Sequence, residues 1–213
     1  MPDINFAQLF IAFLVLIFSL TVHESAHAWT ASRLGDSTAR MLGRVSLNPA
    51  VHVDPVGTIL FPLLAALANV PLIGWAKPVP VNRRQLRHPV RDYTLVAAAG
   101  PASNLALAVI AAIALRWMPV SPSTIGNLDL SAPVATLTTR AIDINILLAV
   151  FNMVPIPPLD GGNVLAGLLP GRLAISFDRI RPYGFLIIYA LMLTGALGVL
   201  VGPPYYLLLS WLR

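Results

Sequence analysis

Apolar positions in this chain come in long uncharged runs separated by short polar connections. Ile4 to Val22 merges into His23-Glu24, Pro55 to Ala76 lies between Asp54 and Lys77, Thr94 to Leu115 between Asp92 and Arg116, and Pro182 to Leu212 between Arg181 and Arg213. A fifth run, Ile144 to Leu159, is shorter and is flanked by Asp143 and Asp160. A helix needs about 20 apolar residues to cross the hydrocarbon of a bilayer. Ile4–Val22 has no Gly or Pro inside and reads as one such helix, and Thr94–Leu115 has only Gly100-Pro101 near its start. Pro55–Ala76 is broken by Gly57, Pro62, Pro71 and Gly74, which predicts a re-entrant or strand-like segment in place of a straight helix. Pro182–Leu212 is too long for one crossing, and Gly202-Pro203-Pro204 is expected to divide it into a span and a short tail.

The expectation is an all-α polytopic membrane protein. It has about four full transmembrane helices, a re-entrant or short β segment and a short C-terminal tail helix. The whole chain, 1–213, reads as a single domain: a helix over 4–31, a strand or re-entrant region over 40–90, a helix over 92–117, a helix and following segment over 141–162, and a C-terminal helix and tail over 182–212. The N-terminus starts Met1-Pro2-Asp3 without a basic residue, so the first span is expected to be retained and not cleaved as a signal. No internal repeat or low-complexity stretch interrupts this pattern.

Composition agrees. Of the 213 residues 57% are apolar and 11% charged, against about a quarter charged in a soluble domain. The mean hydropathy is +0.77. Absence of cysteine excludes disulfides, thiolate metal sites and a thiol nucleophile. The net charge of +5 fits basic loops at a cytoplasmic membrane face better than a nucleic-acid surface. Arg33, Arg40 and Arg44 follow the first run, which places the N-terminus outside. If Pro55–Ala76 dips in and returns, the loop with Lys77, Arg83, Arg84, Arg87 and Arg91 stays cytoplasmic as well. The weakly charged Trp117–Thr139 loop is then external.

Candidate chemistry sits where the first run ends, at His23-Glu24-Ser25-Ala26-His27. Histidines four apart on a helix share a face, so both rings can reach one ion. Glu24 stands beside the first of them, placed to take a proton from an attacking water. Such motifs occur by chance on soluble helices, but ionisable groups at membrane depth cost on the order of 2.5–3.5 kcal/mol each and mark function. Imidazole suits zinc, and a catalytic site wants a third protein ligand. His52, Asp54, His88, Asp143, Asp160 and Asp178 compete for that place. Asp160 stands out, because it follows Pro155, Pro157 and Pro158 and precedes Gly161-Gly162, on backbone that is tolerated at membrane depth only inside protein or beside a wet cavity. Its plainer alternative is a helix cap in an interfacial turn.

The chain resembles the site-2 protease family of intramembrane zinc metalloproteases, in its short prokaryotic form. His23–His27 matches the family's H-E-x-x-H, and Asn152 through Gly161 its N-x-x-P-x-x-x-L-D-G. Gly100-Pro101-Ala102-Ser103-Asn104 is similar to its G-P-x-x-N, and Gly74 through Val81 to a stretch in short members. The resemblance implies one Zn2+ per chain held by His23, His27 and Asp160, with Glu24 as general base and then acid. It also implies that Asn152 stabilises the oxyanion or binds substrate backbone, where a helix-to-helix hydrogen bond is the plainer role. Asn104 is carried over less specifically, as glue beside the site or a substrate contact, and His52 and His88 read as ordinary interfacial residues. The implied activity is cleavage of transmembrane segments in a prokaryotic plasma membrane, with the site toward the cytoplasm. The implied substrate is a single-span protein such as an anti-sigma factor or membrane-held regulator, which unwinds and pairs with a strand of the Arg40–Ala76 region. No PDZ-like or nucleotide-binding module is evident in the sequence. The rival readings are a membrane metal-ion transporter, which would not need Glu24, and a proteolytically inactive binding protein, against which the intact Glu24 speaks.

Overall fold

The computed structural model describes residues 6–61, 64, 75–118, 124–125, 128–129 and 131–213. Helix α1, Phe6–Arg33, is about 42 Å long at 1.5 Å per residue, enough to cross the hydrocarbon and emerge. Its buried residues include Val15, Ser19, His23, His27 and Ala31, one every four positions on a single stripe. Phe6, Leu9, Phe10, Leu14 and Phe18 point outward. This is the inverse of a soluble helix: lipid takes the large apolar side chains, while small and polar ones face protein.

After a short turn α2 (Thr38–Met41), helix α3 spans Pro89–Arg116, opening with proline at its first position, where the missing N–H is not needed. Its buried stripe runs Val96, Gly100, Asn104 and Ala108, again four apart. Helix α4, Ser131–Asn152, packs against both α1 and α3. Ala108, Ile142, Ile146, Val150, Val154 and Val201 form the apolar core between α3, α4 and the C-terminal helix. Between α3 and α4, Thr124–Ile125 (β1) and Leu128–Asp129 (β2) form a minimal antiparallel pair, with Thr124 opposite Asp129. Then follow α5 (Asp160–Leu168), α6 (Gly171–Asp178), α7 (Gly184–Leu193) and α8 (Ala196–Leu212).

Among the described residues, α1, α3 and α4 are long and apolar enough to cross a membrane. The stretch Gly171–Leu193 with Ala196–Leu212 makes a fourth span only if the two are one span bent by 81°. The count is thus three to four, where the sequence suggested about four. The helix expected within 141–162 starts earlier, at Ser131, and stops at Asn152. Half of the ten additional residues are polar, with only Arg140 charged, and Thr side chains satisfy themselves by bonding back along the helix, as Thr136 and Thr138 do to Ala132 and Val134. The C-terminal break falls at Gly195, in the left-handed region at φ 75°, and not at Gly202-Pro203-Pro204, which lies inside α8. The expected tail helix is therefore the second arm of a bent pair.

The re-entrant or strand-like reading of Pro55–Ala76 rests largely on residues 62–63 and 65–74, outside the described residues. Its described start, Pro55–Leu60, is a wide helical turn capped by Asp54, which accepts the N–H groups of Val56 and Gly57. Residues 75–82 form a strap without ladder partners among the described residues, and Pro78 and Pro80 remove two of its donors. The strap is pinned from below. Trp75 N–H donates to Gly57 C=O, Lys77 N–H to His52 C=O, and Asn82 N–H to the fully buried Asp36.

Candidate metal centre

His23 and His27 lie one turn apart on the buried face of α1, near its last turns. Asp160 is the first residue of α5, brought back to α1 by the non-helical stretch 153–159 with its Pro157–Pro158 cis bond. Here the two glycines act by closeness and not by unusual dihedrals. Neither has positive φ, but a Cβ on Gly161 would overlap the Met153 carbonyl and one on Gly162 would overlap Pro157. Without side chains they let α5 press against the returning loop.

The result is a tight triad. His23 Nε2 and His27 Nε2 are 3.0 Å apart, and Asp160 Oδ2 lies 3.1 Å and 3.3 Å from them. The far nitrogens are committed: His27 Nδ1 donates to the Val96 carbonyl at 2.7 Å, and His23 Nδ1 to Asn104 Oδ1 at 2.6 Å. In the neutral tautomers that these two bonds favour, both Nε2 atoms present lone pairs to the space between them. Asp160 Oδ2 is correspondingly buried without a hydrogen-bond partner, although it is at ion-pair distance from both rings. Three acceptors facing one another repel unless a cation sits among them. Tetrahedral zinc with bonds of 2.0–2.1 Å separates its ligands by about 3.3 Å, so the donor set and its spacing fit zinc. Gly100 completes the cradle, since a methyl there would overlap the Nε2 atoms of both imidazoles.

Glu24 and Asn152 line the same cavity, of about 870 Å³, as the triad. Its walls are otherwise mostly apolar, among them Leu20, Phe151, Phe185 and Ile188. Glu24 Oε2 accepts the Val79 N–H at 3.1 Å, so the strap passes directly over the carboxylate. Asn152 Nδ2 donates to Leu148 C=O one turn back at 2.9 Å, within its own helix and not to another. Asn104 is fully buried behind His23, which fits a supporting place and not one in the cavity.

The model of peptidase family M50 matches residues 119–195, the segment carrying α4, Asn152 and Asp160. A Bacillus subtilis (strain 168) protein named "Putative zinc metalloprotease YwhC" is 38% identical over 185 residues, 85% of this chain and 79% of its own length. The chain belongs to peptidase family M50. A Mycolicibacterium smegmatis protein named "Putative zinc metalloprotease Rip2" is 31% identical over 184 residues, 85% of this chain and 66% of its own. Its Mycobacterium tuberculosis (strain ATCC 25618 / H37Rv) namesake is 32% identical over 195 residues, 90% and 70%. No solved structure matches. This M50 protein is thus a zinc metalloprotease and an integral membrane protein, which decides against the transporter reading.

The other candidates are accounted for elsewhere. Asp143 on α4 accepts from Arg213 at 2.7 Å and from Tyr205, and Asp178 pairs with Arg181. His88 is exposed at the start of α3, where Asp92 accepts its N–H. His52 is buried. It is 1% exposed, with Nε2 donating to Ser46 C=O beside Ser25 of α1, because the 44–58 loop folds under the motif helix. Sequence reasoning also passed over Arg44, buried with its guanidinium donating to the carbonyls of Val51 and Pro78. An arginine before a Pro-rich strap gives no periodic signal. Asn145 was missed although its signal was present: an amide in an otherwise apolar run.

Proposed function

We propose that this chain is an intramembrane zinc endopeptidase of the site-2 type, in which His23, His27 and Asp160 hold one zinc ion and Glu24 is the general base. The observation that carries the reading is the cluster of two imidazoles and one carboxylate, their ligand atoms within 4.8 Å of one another, sharing a cavity with Glu24. When bound, zinc polarises a peptide carbonyl and lowers the pKa of water to about 7. Glu24 takes the proton of the attacking water and hands it to the leaving amide nitrogen. The Val79 N–H holds Oε2 and so orients the carboxylate. Asn152, at the cavity wall, turns its amide from Leu148 toward the developing oxyanion.

A mostly apolar cavity beside lipid-facing helices suits an apolar substrate, and we assign the substrate as a transmembrane segment of a single-span protein. Its helix must unwind locally to free the scissile bond. The basic residues after α1, Arg33, Arg40 and Arg44, and those of 77–91 support a site on the cytoplasmic side, with α3 running outward and α4 returning.

Cleavage by the full chain reconstituted in vesicles with single-span proteins, with cut sites mapped by mass, tests this. Cuts within or bordering the hydrophobic segment, lost on chelation and restored by Zn2+, are expected. Cuts confined to soluble regions would contradict the intramembrane assignment.

A further inference from the structure

A histidine that ligates through Nε2 must carry its proton on Nδ1, and the group opposite Nδ1 decides this. For His27 that group is a main-chain carbonyl, which can only accept. For His23 it is the Asn104 side chain, which can present either its oxygen or its NH2. An Asn104 turned end for end would donate to Nδ1. The imidazole proton would move to Nε2 and point at His27 and Asp160. The orientation of one amide therefore decides whether His23 can serve as a ligand.

Asn104 Nδ2 donates to Asn145 Oδ1 on α4 at 2.8 Å, with a longer 3.4 Å contact to the Ser19 carbonyl. Asn145 has the same two-way ambiguity, and Ala141 removes it: Asn145 Nδ2 donates to the Ala141 carbonyl at 2.8 Å. A carbonyl cannot donate, so direction is imposed at Ala141 and passed through two amides to the imidazole, with the longer contact to Ser19 acting in the same sense. Asn104 is fully buried and Asn145 is 2% exposed, so water does not compete for either. Asn145 lies outside the cavity lining and touches no ligand atom.

We propose that Asn145 is a positioning residue for the metal centre: through Asn104 it fixes the His23 tautomer that turns the Nε2 lone pair toward zinc. The proposal rests on the assignment of His23 as a ligand. It differs from a plain interhelical bond between α3 and α4, which would contribute to stability and leave zinc affinity alone.

Zinc affinity of the detergent-solubilised full chain, read by competition with a chromophoric chelator, separates the two. Asn145→Leu keeps the branched shape and removes the acceptor, and should weaken zinc binding about 10–100-fold. Asn145→Asp still accepts from Asn104 and should bind zinc as wild type does. Asn104→Asp gives His23 an acceptor that cannot turn, so in that background Asn145→Leu should lose its effect. Should Asn145→Leu not fold, Asn145→Ser carries the same expectation, because its hydroxyl can bond back to Ala141 but falls short of Asn104. Wild-type affinity in the acceptor-less variants, or an undiminished loss in the Asn104→Asp background, overturns the proposal while leaving the zinc centre standing. His23→Ala is measured in parallel and should lose zinc. If it binds as wild type does, the ligand assignment fails, and the role of Asn145 with it.

Discussion

Asp160 is asked to do something its neighbours are not: hold a buried carboxylate oxygen without any hydrogen bond, 3.1 Å and 3.3 Å from two imidazole nitrogens. Its place at the first position of α5 puts the charge at the positive end of a helix dipole, which offsets part of the cost. Removing a ligand should cost more than the about 10–100-fold lost with an outer-shell partner. Asp160→Ala should therefore surrender zinc to a mild chelator, whereas Asp143→Ala and Asp178→Ala, which lose only bonds to Arg213, Tyr205 or Arg181, should keep it. Metal retained in Asp160→Ala and lost in Asp143→Ala would move the third ligand elsewhere. At this scale the sequence was most legible. His23, Glu24, His27 and Asp160 carry chemistry that lipid would not tolerate idle, so each stands out in an apolar chain. The residues that orient them do not. Val96 acts through its carbonyl, which every residue has, and Gly100 acts by lacking a Cβ.

Elements were legible where apolar runs are unbroken and hidden where breaks depend on tertiary support. α1 and α3 follow from Ile4–Val22 and Thr94–Leu115 directly. The start of α4 did not, because Thr residues satisfied by back-bonding look like loop in sequence. Nor did the bend at Gly195, because Pro203-Pro204 is the stronger breaker by composition, yet α8 runs through it. The segment 55–76 is the element on which orientation turns. If it enters and returns on one side, cysteines replacing Arg40 and Arg84 are shielded from an impermeant thiol reagent on intact cells, while one at Ser123 labels at once. The chain has no other cysteine to confuse the reading. Labelling at position 84 from outside would make 55–76 a full crossing.

At the scale of the whole molecule, three buried stripes meet: His23 and His27 from α1, Gly100 and Asn104 from α3, and Asn145 from α4. Polar and small residues converge at one depth, large apolar ones cover the outside, and α7 and α8 close the cavity with Phe185, Ile188 and Val201. The strap over Glu24 comes from a loop whose course no periodicity announces; it is held by Arg44, Asp36 and Trp75 acting on main-chain groups. All of this serves one carboxylate set beside the metal site. Glu24→Gln keeps the shape and a hydrogen-bond acceptor for Val79 but cannot take up a proton. The decisive measurement is cleavage of a reconstituted single-span substrate by Glu24→Gln, with zinc content determined on the same preparation. The account predicts wild-type zinc and no cleavage; wild-type zinc with normal cleavage would contradict it.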